Sequence, residues 1–337
     1  MLHRTKKILM LCNPALVSKR LIFDTTYLRM DKFEDRRTRL RTLLKDNQIS
    51  KETIQNRLTY QSPCDYKVTE ISNLIHLCET EEDMAALQLI VRRFLKEKSH
   101  QKYQDGILLN FASLCFVRND LHNAVILDQS LKVMEFGKLV YLQLLYNNGQ
   151  FDKVVEKCDS ELTHFVNFNI LQKASLFKIG TKDALAKSLV TSKLSNFRAS
   201  LITCLMAERF EEFGIALDFL DQLHKMGGTN PLYVNLRLLT LLDCDRTREA
   251  VIFLRKFTSL ALGVQEPVEI SSEIWALLQA KDGASYEKVF LPKVQNGTLK
   301  IINKTVEELV FEPISRKEAN ATSHQIWQKQ TRNYLDI

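Results

Sequence analysis

At residues 149–158 the chain reads GQFDKVVEKC, a glycine turn followed by an amphipathic pattern. Four apolar residues of this stretch stand at positions i, i+3, i+4 and i+7, which is the spacing of one face of an α-helix. They are Phe151, Val154, Val155 and Cys158. The same spacing recurs at 213–220 and 250–257. The sequence therefore predicts helices that follow short polar turns and bury one face.

Short polar turns recur along the middle of the chain. They fall near positions 80, 119, 148, 180, 208 and 244. Their mean spacing of about 33 residues is typical of helical-hairpin arrays. A small residue follows five positions after several of the turns, as at Ala86, Ala124, Val154 and Ala250, and lets two helices approach closely. We therefore expect an array over residues 68–264, with a plain helical bundle as the alternative.

Glycine and proline are scarce, because the 337 residues include only 10 glycines and 6 prolines. Sandwiches and barrels need many Gly/Pro turns, and doubly wound enzymes need glycine-rich phosphate loops. The sequence contains no GxxxxGK[ST], GxGxxG, GxSxG or HExxH motif. Its acid clusters, such as residues 81–83, stand at expected helix starts, where negative charge complements the helix dipole. We therefore predict an all-α protein that is not an enzyme.

The 7 cysteines and 7 histidines are scattered, and none stands at a zinc-ligand spacing. Most cysteines lie in apolar helical patterns, where they are expected to be buried small hydrophobes. We therefore expect no metal, no cofactor and a reducing compartment. No uninterrupted apolar run reaches about 18 residues, so we also predict no membrane insertion.

The segments that flank the array have different patterns. Residues 24–67 are charged and predict a helical lead-in, with Ser50 as a helix cap. Residues 265–310 lose the hairpin pattern and predict a C-terminal helical cap, with a short extended piece at 297–302. Residues 311–337 are polar and predict a loose tail.

Residues 1–23 are basic, contain no acid, and place hydroxyl and apolar residues between the cations. This composition is typical of a mitochondrial presequence. A secretory signal is one alternative, which the break at Asn13-Pro14 disfavours, and an ordinary basic tail is the other. We therefore predict import into the mitochondrial matrix.

The formal net charge of +7 is concentrated at the amino terminus. Residues 1–45 carry a balance of +8, and residues 46–337 carry a balance of −1. The body of the chain is therefore nearly neutral. Any basic binding surface in it requires a fold that separates the charges.

Three of the turns with their following helix starts resemble pentatricopeptide repeats. They read NDLHNA at 119–124, GQFDKV at 149–154 and DRTREA at 245–250. The similarity to this family covers roughly residues 68–310. It implies an all-α fold, a right-handed superhelix of antiparallel helix pairs with a non-repeat C-terminal segment. It also implies a mitochondrial RNA-binding protein that acts in RNA processing and maturation and so supports the respiratory chain. The implied partners are single-stranded mitochondrial RNA and RNA-processing proteins.

The same resemblance assigns two candidate RNA-binding residues. Such repeats read a base edge in single-stranded RNA with a polar side chain near the start of the first helix and another just before it. Aligned on the last turn, these positions fall on Asn235 and Asn230. Aligned on earlier turns, the first position falls on apolar Leu139 and Leu109, so a base-per-repeat code is excluded. Asn230 precedes Pro231, and a helix cap is its alternative role.

Two functions stay open from the sequence. The first is a mitochondrial RNA-binding maturation factor, which the resemblance favours. The second is a helical-repeat protein–protein scaffold in mitochondria, which the nearly neutral body favours.

Overall fold

The computed structural model describes residues 21–47, 50–130, 135–161, 166–191, 196–225, 230–260 and 267–315. These residues are mostly α-helical, which confirms the predicted helical class, and they include two short β-strands. No helix among them combines the length and the apolar character needed to cross a membrane. The chain divides into two compact units, Met1–Gln150 with Pro313–Ile337, and Phe151–Glu312.

The first unit is built from two sets of helices. Its helices are α1 Met30–Asn47, α2 Lys51–Tyr60, α3 Val68–Leu77, α4 Glu81–Lys96, α5 Gln104–Arg118, α6 Leu121–Ser130 and α7 Glu135–Asn147. Short 3₁₀ segments lie at Pro63–Asp65 and Lys98–Tyr103. Helices α1, α3, α5 and α7 each pack on the next, and α2, α4 and α6 do the same. The helices of the odd-numbered set therefore need a broad apolar front, as α5 shows by burying both Leu108 and Leu114.

Polar caps start the helices of the predicted lead-in and of the first hairpin. Ser50 accepts a hydrogen bond from the backbone N–H of Thr53 at 3.2 Å, which confirms its predicted role as a cap. At the start of α4, Thr80 and Asp83 form a reciprocal capping box. Asp83 also accepts a hydrogen bond from Lys51 at 2.8 Å. The first acid cluster is therefore part of a helix start, as the sequence predicts.

The second unit continues the helices and adds a small parallel sheet. Its elements are α8 Phe151–Glu161, α9 Val166–Ile179, α10 Lys182–Val190, α11 Phe197–Arg209, α12 Phe213–Lys225, α13 Pro231–Asp243, α14 Thr247–Leu260, β1 Val268–Ser271, α15 Ser272–Lys281, α16 Gly283–Ser285, α17 Leu291–Gln295, β2 Leu299–Ile302 and α18 Val306–Val310. A π-helical turn, Tyr286–Phe290, joins α16 to α17. Helices α9, α11, α13 and α15 pack on one another in order, with α12 against α11 and α14 against α13.

The two strands pair in parallel, with Val268 opposite Leu299 and Ile270 opposite Ile301. Strand β2 confirms the extended piece predicted at 297–302. Strand β1 was not predicted, because four residues are too few to establish an alternating pattern. Both β1 and α15 pack against α13, so the sheet closes the end of the helical core of this unit.

Five turns share one backbone feature, a residue with positive φ at or just after the end of a helix. These residues are Asn119, Gly149, Gly180, Glu211 and Asp245, with φ between 54° and 72°, and they recur at nearly even intervals along the chain. After four of them the next N–H returns to a carbonyl five residues back, as from Asp120 to Cys115 at 2.8 Å. This bond satisfies a carbonyl that the helix end leaves free. Five of the six predicted turns therefore contain a positive-φ residue at or near the predicted place, and four of them also share this hydrogen bond.

The position five residues after each positive-φ residue is buried. It holds Ala124, Val154, Leu185, Ala216 and Ala250, none more than 5% exposed. The prediction of a small buried residue is thereby confirmed for Ala124, Val154 and Ala250. It is wrong for Ala86, which is only half-buried. The reason is that α4 starts from a capping box without a positive-φ residue, and Met84 and Leu87 face its core instead.

The amino-terminal boundary predicted at residue 23 is corrected by the structure. Ile22 and Phe23 are 4% and 0% exposed, so they belong to the core of the first unit. The backbone N–H of Phe23 donates to the side chain of Gln143 at 3.2 Å, and the N–H of Ile314 donates to the carbonyl of Ile22 at 2.9 Å. The presequence prediction now concerns residues 1–20, which lie outside the described residues.

The carboxyl-terminal boundary moves as well. Residues 311–315 were predicted as part of a loose tail, yet Phe311 is buried in the second unit. Ile314 forms a parallel bridge with Phe23 in the first unit. These contacts place 311–315 in the folded chain, and the remainder of the predicted tail, 316–337, lies outside the described residues.

Candidate nucleic-acid interface

Asn230 caps the amino-terminal end of α13. Its side-chain oxygen accepts a hydrogen bond from the backbone N–H of Leu232 at 2.9 Å, and Pro231 is the first helical residue. Asparagine followed by proline is a favoured helix start, because proline lacks the N–H that this position cannot use. The alternative role of Asn230 as a cap is therefore confirmed. The side chain is also exposed, and RNA contact by it stays a prediction.

Asn235 is a structural residue in the core of the second unit. It is 0% exposed. Its amide donates hydrogen bonds to the carbonyls of Pro231 at 2.8 Å and Glu269 at 2.9 Å, and its oxygen accepts one from the N–H of Ser271 at 2.7 Å. These bonds occupy the amide and leave no edge for a base. We therefore correct the assignment of Asn235 as a base-reading residue.

The Asn235 side chain takes the place of a third strand beside β1. In a parallel pair, alternate residues direct their backbone groups to opposite edges. The N–H of Val268 bonds to Thr298 on the β2 side, whereas Glu269 and Ser271 direct their groups to Asn235 on the other side. The sequence signal for this role is a lone amide within the apolar run of α13, since a buried amide must find hydrogen-bond partners.

The exposed edge of α13 is also engaged within the protein. Arg237 forms an ion pair with Asp221 at 2.5 Å and donates to the hydroxyl of Tyr233 at 3.0 Å. Its guanidinium lies 5.3 Å from the ring centroid of Phe253. This cation therefore joins α12, α13 and α14, and it is already paired with a carboxylate.

Lys173 is a fully buried lysine on α9. Its ammonium donates to the carbonyl of Ser188 and to the hydroxyl of Thr191, both at 2.5 Å, and so caps the end of α10. Burial lowers the pKa of Lys173 to about 7, and the negative charge of Asp159 opposes this shift only in part. With 0% exposure, the amine has no access to a substrate.

The described residues contain no group of three or more His, Cys, Asp or Glu side chains that could hold a metal ion.

Burial raises the pKa of the Cys78 thiol to about 11 and that of Cys158 to about 12. Both thiols are therefore protonated near neutral pH and are poor nucleophiles.

The two positions where the family pattern fails are occupied by packed side chains. Leu139 is 2% exposed, and Leu109 is half-buried. Neither offers a hydrogen-bonding group to a base. RNA contact at these helices therefore requires other residues.

No family model, no curated protein and no solved structure matches the chain.

Proposed function

We propose that the chain is a non-catalytic RNA-binding protein of the mitochondrial matrix. It binds single-stranded mitochondrial RNA, assists RNA processing and maturation together with RNA-processing proteins, and so supports the respiratory chain. Its helix pairs form a right-handed superhelix of the pentatricopeptide kind, closed by a non-repeat segment that contains β1, α15 and β2.

The observation that carries this proposal is the recurrence of one turn geometry at five nearly evenly spaced places, each followed five positions later by a buried residue. Neighbouring turns also contact one another within a unit. The amides of Asn119 and Asn148 exchange hydrogen bonds at 3.2 and 3.4 Å, and Arg118 donates to the carbonyl of Glu79 at 2.6 Å. In the second unit, Lys182 lies 3.9 Å from Glu212 of the next turn. Such contacts support helix pairs stacked along one direction.

A protein–protein scaffold is the second candidate function. The charge balance of −1 over residues 46–337 favours it, since a nucleic-acid-binding body is usually basic as a whole. A local separation of charge removes this objection to RNA binding. Phosphate contacts depend on the cations at the interface and not on the total charge of the protein.

We expect the purified chain to bind single-stranded RNA with a shallow salt dependence. A protein surface with few excess cations displaces few counterions from the RNA. The plot of the logarithm of the binding constant against the logarithm of the salt concentration should therefore have a slope shallower than about −4. Fluorescence anisotropy of a labelled mitochondrial transcript fragment over a salt series measures this slope. No detectable binding at low salt would favour the scaffold, and RNA cleavage by the chain would contradict the absence of catalysis.

Residues 1–20 are expected to direct a fused reporter into mitochondria, because they are cationic and contain no acid. Fluorescence microscopy and protease protection of isolated mitochondria check this result. A reporter carrying residues 21–40 in place of 1–20 serves as the control. Delivery of the first fusion to the secretory pathway would contradict the proposed location.

A further inference from the structure

One short stretch of the first unit is strongly basic although the body of the chain is neutral. Residues 92–103 read RRFLKEKSHQKY and contain five Lys/Arg residues against the single acid Glu97. The carboxylate of Glu97 accepts a hydrogen bond from the N–H of Ser99 at 3.2 Å, so it caps the following 3₁₀ turn. The fold thus concentrates positive charge at the end of α4.

Four of these cations are exposed and make no ion pair within the described residues. They are Arg92, Lys96, Lys98 and Lys102. The fifth, Arg93, has a structural role, since it donates to the carbonyls of Thr59 at 2.7 Å and Gln61 at 3.0 Å. Arg93 thereby holds the carboxyl end of α2 beside α4.

Two exposed tyrosines accompany the cations. Tyr60 lies between the two residues that Arg93 holds and is 87% exposed, and Tyr103 is 43% exposed. The ammonium of Lys102 lies 4.7 Å from the ring centroid of Tyr103. The Tyr60 ring is therefore open to solvent at the end of α2 that Arg93 holds against α4.

The backbone beneath this surface is held in place by buried contacts. His100 stacks on Phe94 with ring centroids 4.9 Å apart, and its Nε2 lies 3.0 Å from the carbonyl of Pro63. Gln104 donates to the carbonyl of Leu95 at 3.0 Å. The 3₁₀ segment Lys98–Tyr103, α4 and the end of α2 therefore form one fixed platform.

We propose that single-stranded RNA binds to this platform, which we call the α4 surface: Tyr60, Arg92, Lys96, Lys98, Lys102 and Tyr103. The four cations bind phosphates, and the exposed tyrosine rings stack on unpaired bases, which is how sequence-tolerant single-strand sites are built. The inference rests on the proposed function and assigns its RNA contact to a surface outside the positions implied by the family resemblance. It also explains how a nearly neutral body binds a polyanion.

A simpler role for some of these cations is to complement the dipole at the carboxyl end of α4. That role applies to Lys96, but Arg92 lies before the last turn of α4, and Lys98 and Lys102 lie beyond the helix. It also gives no reason for the exposure of Tyr60. The combination of cations with open aromatic rings favours RNA over an acidic protein segment, which needs no stacking partner.

The second unit offers a matched control surface on α14. Arg248, Arg255 and Lys256 are exposed, have no ion pair within the described part of the chain, and surround Ile252, which is 56% exposed. The surface carries the same number of removable charges as Arg92, Lys96 and Lys98, but it has no tyrosine.

The test compares two triple variants of the full chain, each losing three positive charges. One is Arg92→Gln/Lys96→Gln/Lys98→Gln, and the other is Arg248→Gln/Arg255→Gln/Lys256→Gln. Binding of a labelled oligouridine is followed over a salt series, and thermal unfolding confirms that both variants fold. We expect the α4 variant to lose at least about tenfold in affinity, with a salt slope shallower by about 2, and the α14 variant to bind like the parent.

A second pair of variants tests stacking. Tyr60→Leu is expected to weaken oligouridine binding by about tenfold, whereas Tyr60→Phe keeps the ring and should bind like the parent. Polyglutamate serves as a polyanion without bases, and its binding should be weaker and insensitive to Tyr60→Leu.

The outcomes separate this inference from the proposed function. If the parent binds no RNA, the proposed function fails and the inference fails with it. If the parent binds RNA but the α4 variant binds equally well, only the inference is overturned. Equal losses in both triple variants, or polyglutamate binding as tight as that of oligouridine, would also overturn it.

Discussion

Replacing Asn235 by alanine is expected to lower the free energy of unfolding by about 3 kcal/mol. The substitution removes the partner of the Ser271 N–H and of the Glu269 carbonyl, while the site stays buried. Each buried polar group left without a partner costs about 1–3 kcal/mol. Urea-induced unfolding followed by circular dichroism measures the loss. We expect the folded fraction of the Asn235→Ala protein to have the same preference among RNA sequences as the parent.

Asn235→Asp and Asn230→Ala are the matched controls for this experiment. The aspartate keeps an acceptor for the Ser271 N–H but places a second oxygen against two carbonyl oxygens. The charged carboxylate is repelled there, whereas the protonated carboxyl group can donate a hydrogen bond. The variant should therefore be less stable at pH 7 than at pH 4. Asn230→Ala removes only a helix cap and should cost about 1 kcal/mol. An Asn235→Ala protein that is as stable as the parent but has lost preference at one nucleotide would restore the base-reading assignment.

Removing the buried amine of Lys173 is expected to remove a pH dependence of stability. The pKa of Lys173 is lowered to about 7 in the folded protein, below its value of 10.5 in the unfolded chain. Between these two values the unfolded chain binds the extra proton, so the free energy of unfolding rises with pH. The contribution reaches up to about 1.4 kcal/mol per pH unit for one proton. Lys173→Met should lack this rise.

The measurement is urea unfolding of the parent and Lys173→Met from pH 6.5 to pH 10. Lys182→Met is the control, because Lys182 is an exposed lysine in the same unit. Tyrosine and cysteine titrations are common to all three proteins and cancel in the differences. Parallel pH profiles for the parent and Lys173→Met would show that Lys173 keeps an ordinary pKa and that its burial is misassigned.

Local signals predicted the turns of this fold well. Asn, Gly and Asp tolerate positive φ better than other residues, and four turns carry them at the predicted place or one residue later. These residues are Asn119, Gly149, Gly180 and Asp245. At the turn predicted near 208 the positive-φ residue is Glu211, a residue type that gives no such signal. This turn was therefore placed three residues too early.

Contacts between distant residues were not predictable from the same patterns. The burial of Asn235 depends on Glu269 and Ser271, which lie 34 and 36 positions further along the chain. The burial of Phe23 depends on Gln143, 120 positions away, so a composition criterion placed Phe23 in a removable presequence. The sequence shows that such residues are polar or apolar, but not which partner reaches them.

The α4 surface was missed for a related reason. The net charge summed over residues 46–337 hides a local excess of positive charge. In the sequence, the cations of residues 92–103 have the pattern of an ordinary helix end followed by a loop. Only the structure shows that Arg93 turns inward while Tyr60 stays open to solvent. The distribution of paired and unpaired cations, which needs coordinates, is what distinguishes the site.

Crosslinking in intact mitochondria tests the central claim, RNA binding by this chain, most directly. Ultraviolet crosslinking followed by purification of the full chain under denaturing conditions recovers the RNA in direct contact with it. We predict recovery of mitochondrial transcripts, and a strong loss of this RNA from the Arg92→Gln/Lys96→Gln/Lys98→Gln variant. Recovery of the full chain without crosslinked RNA would contradict the account and favour the scaffold function instead.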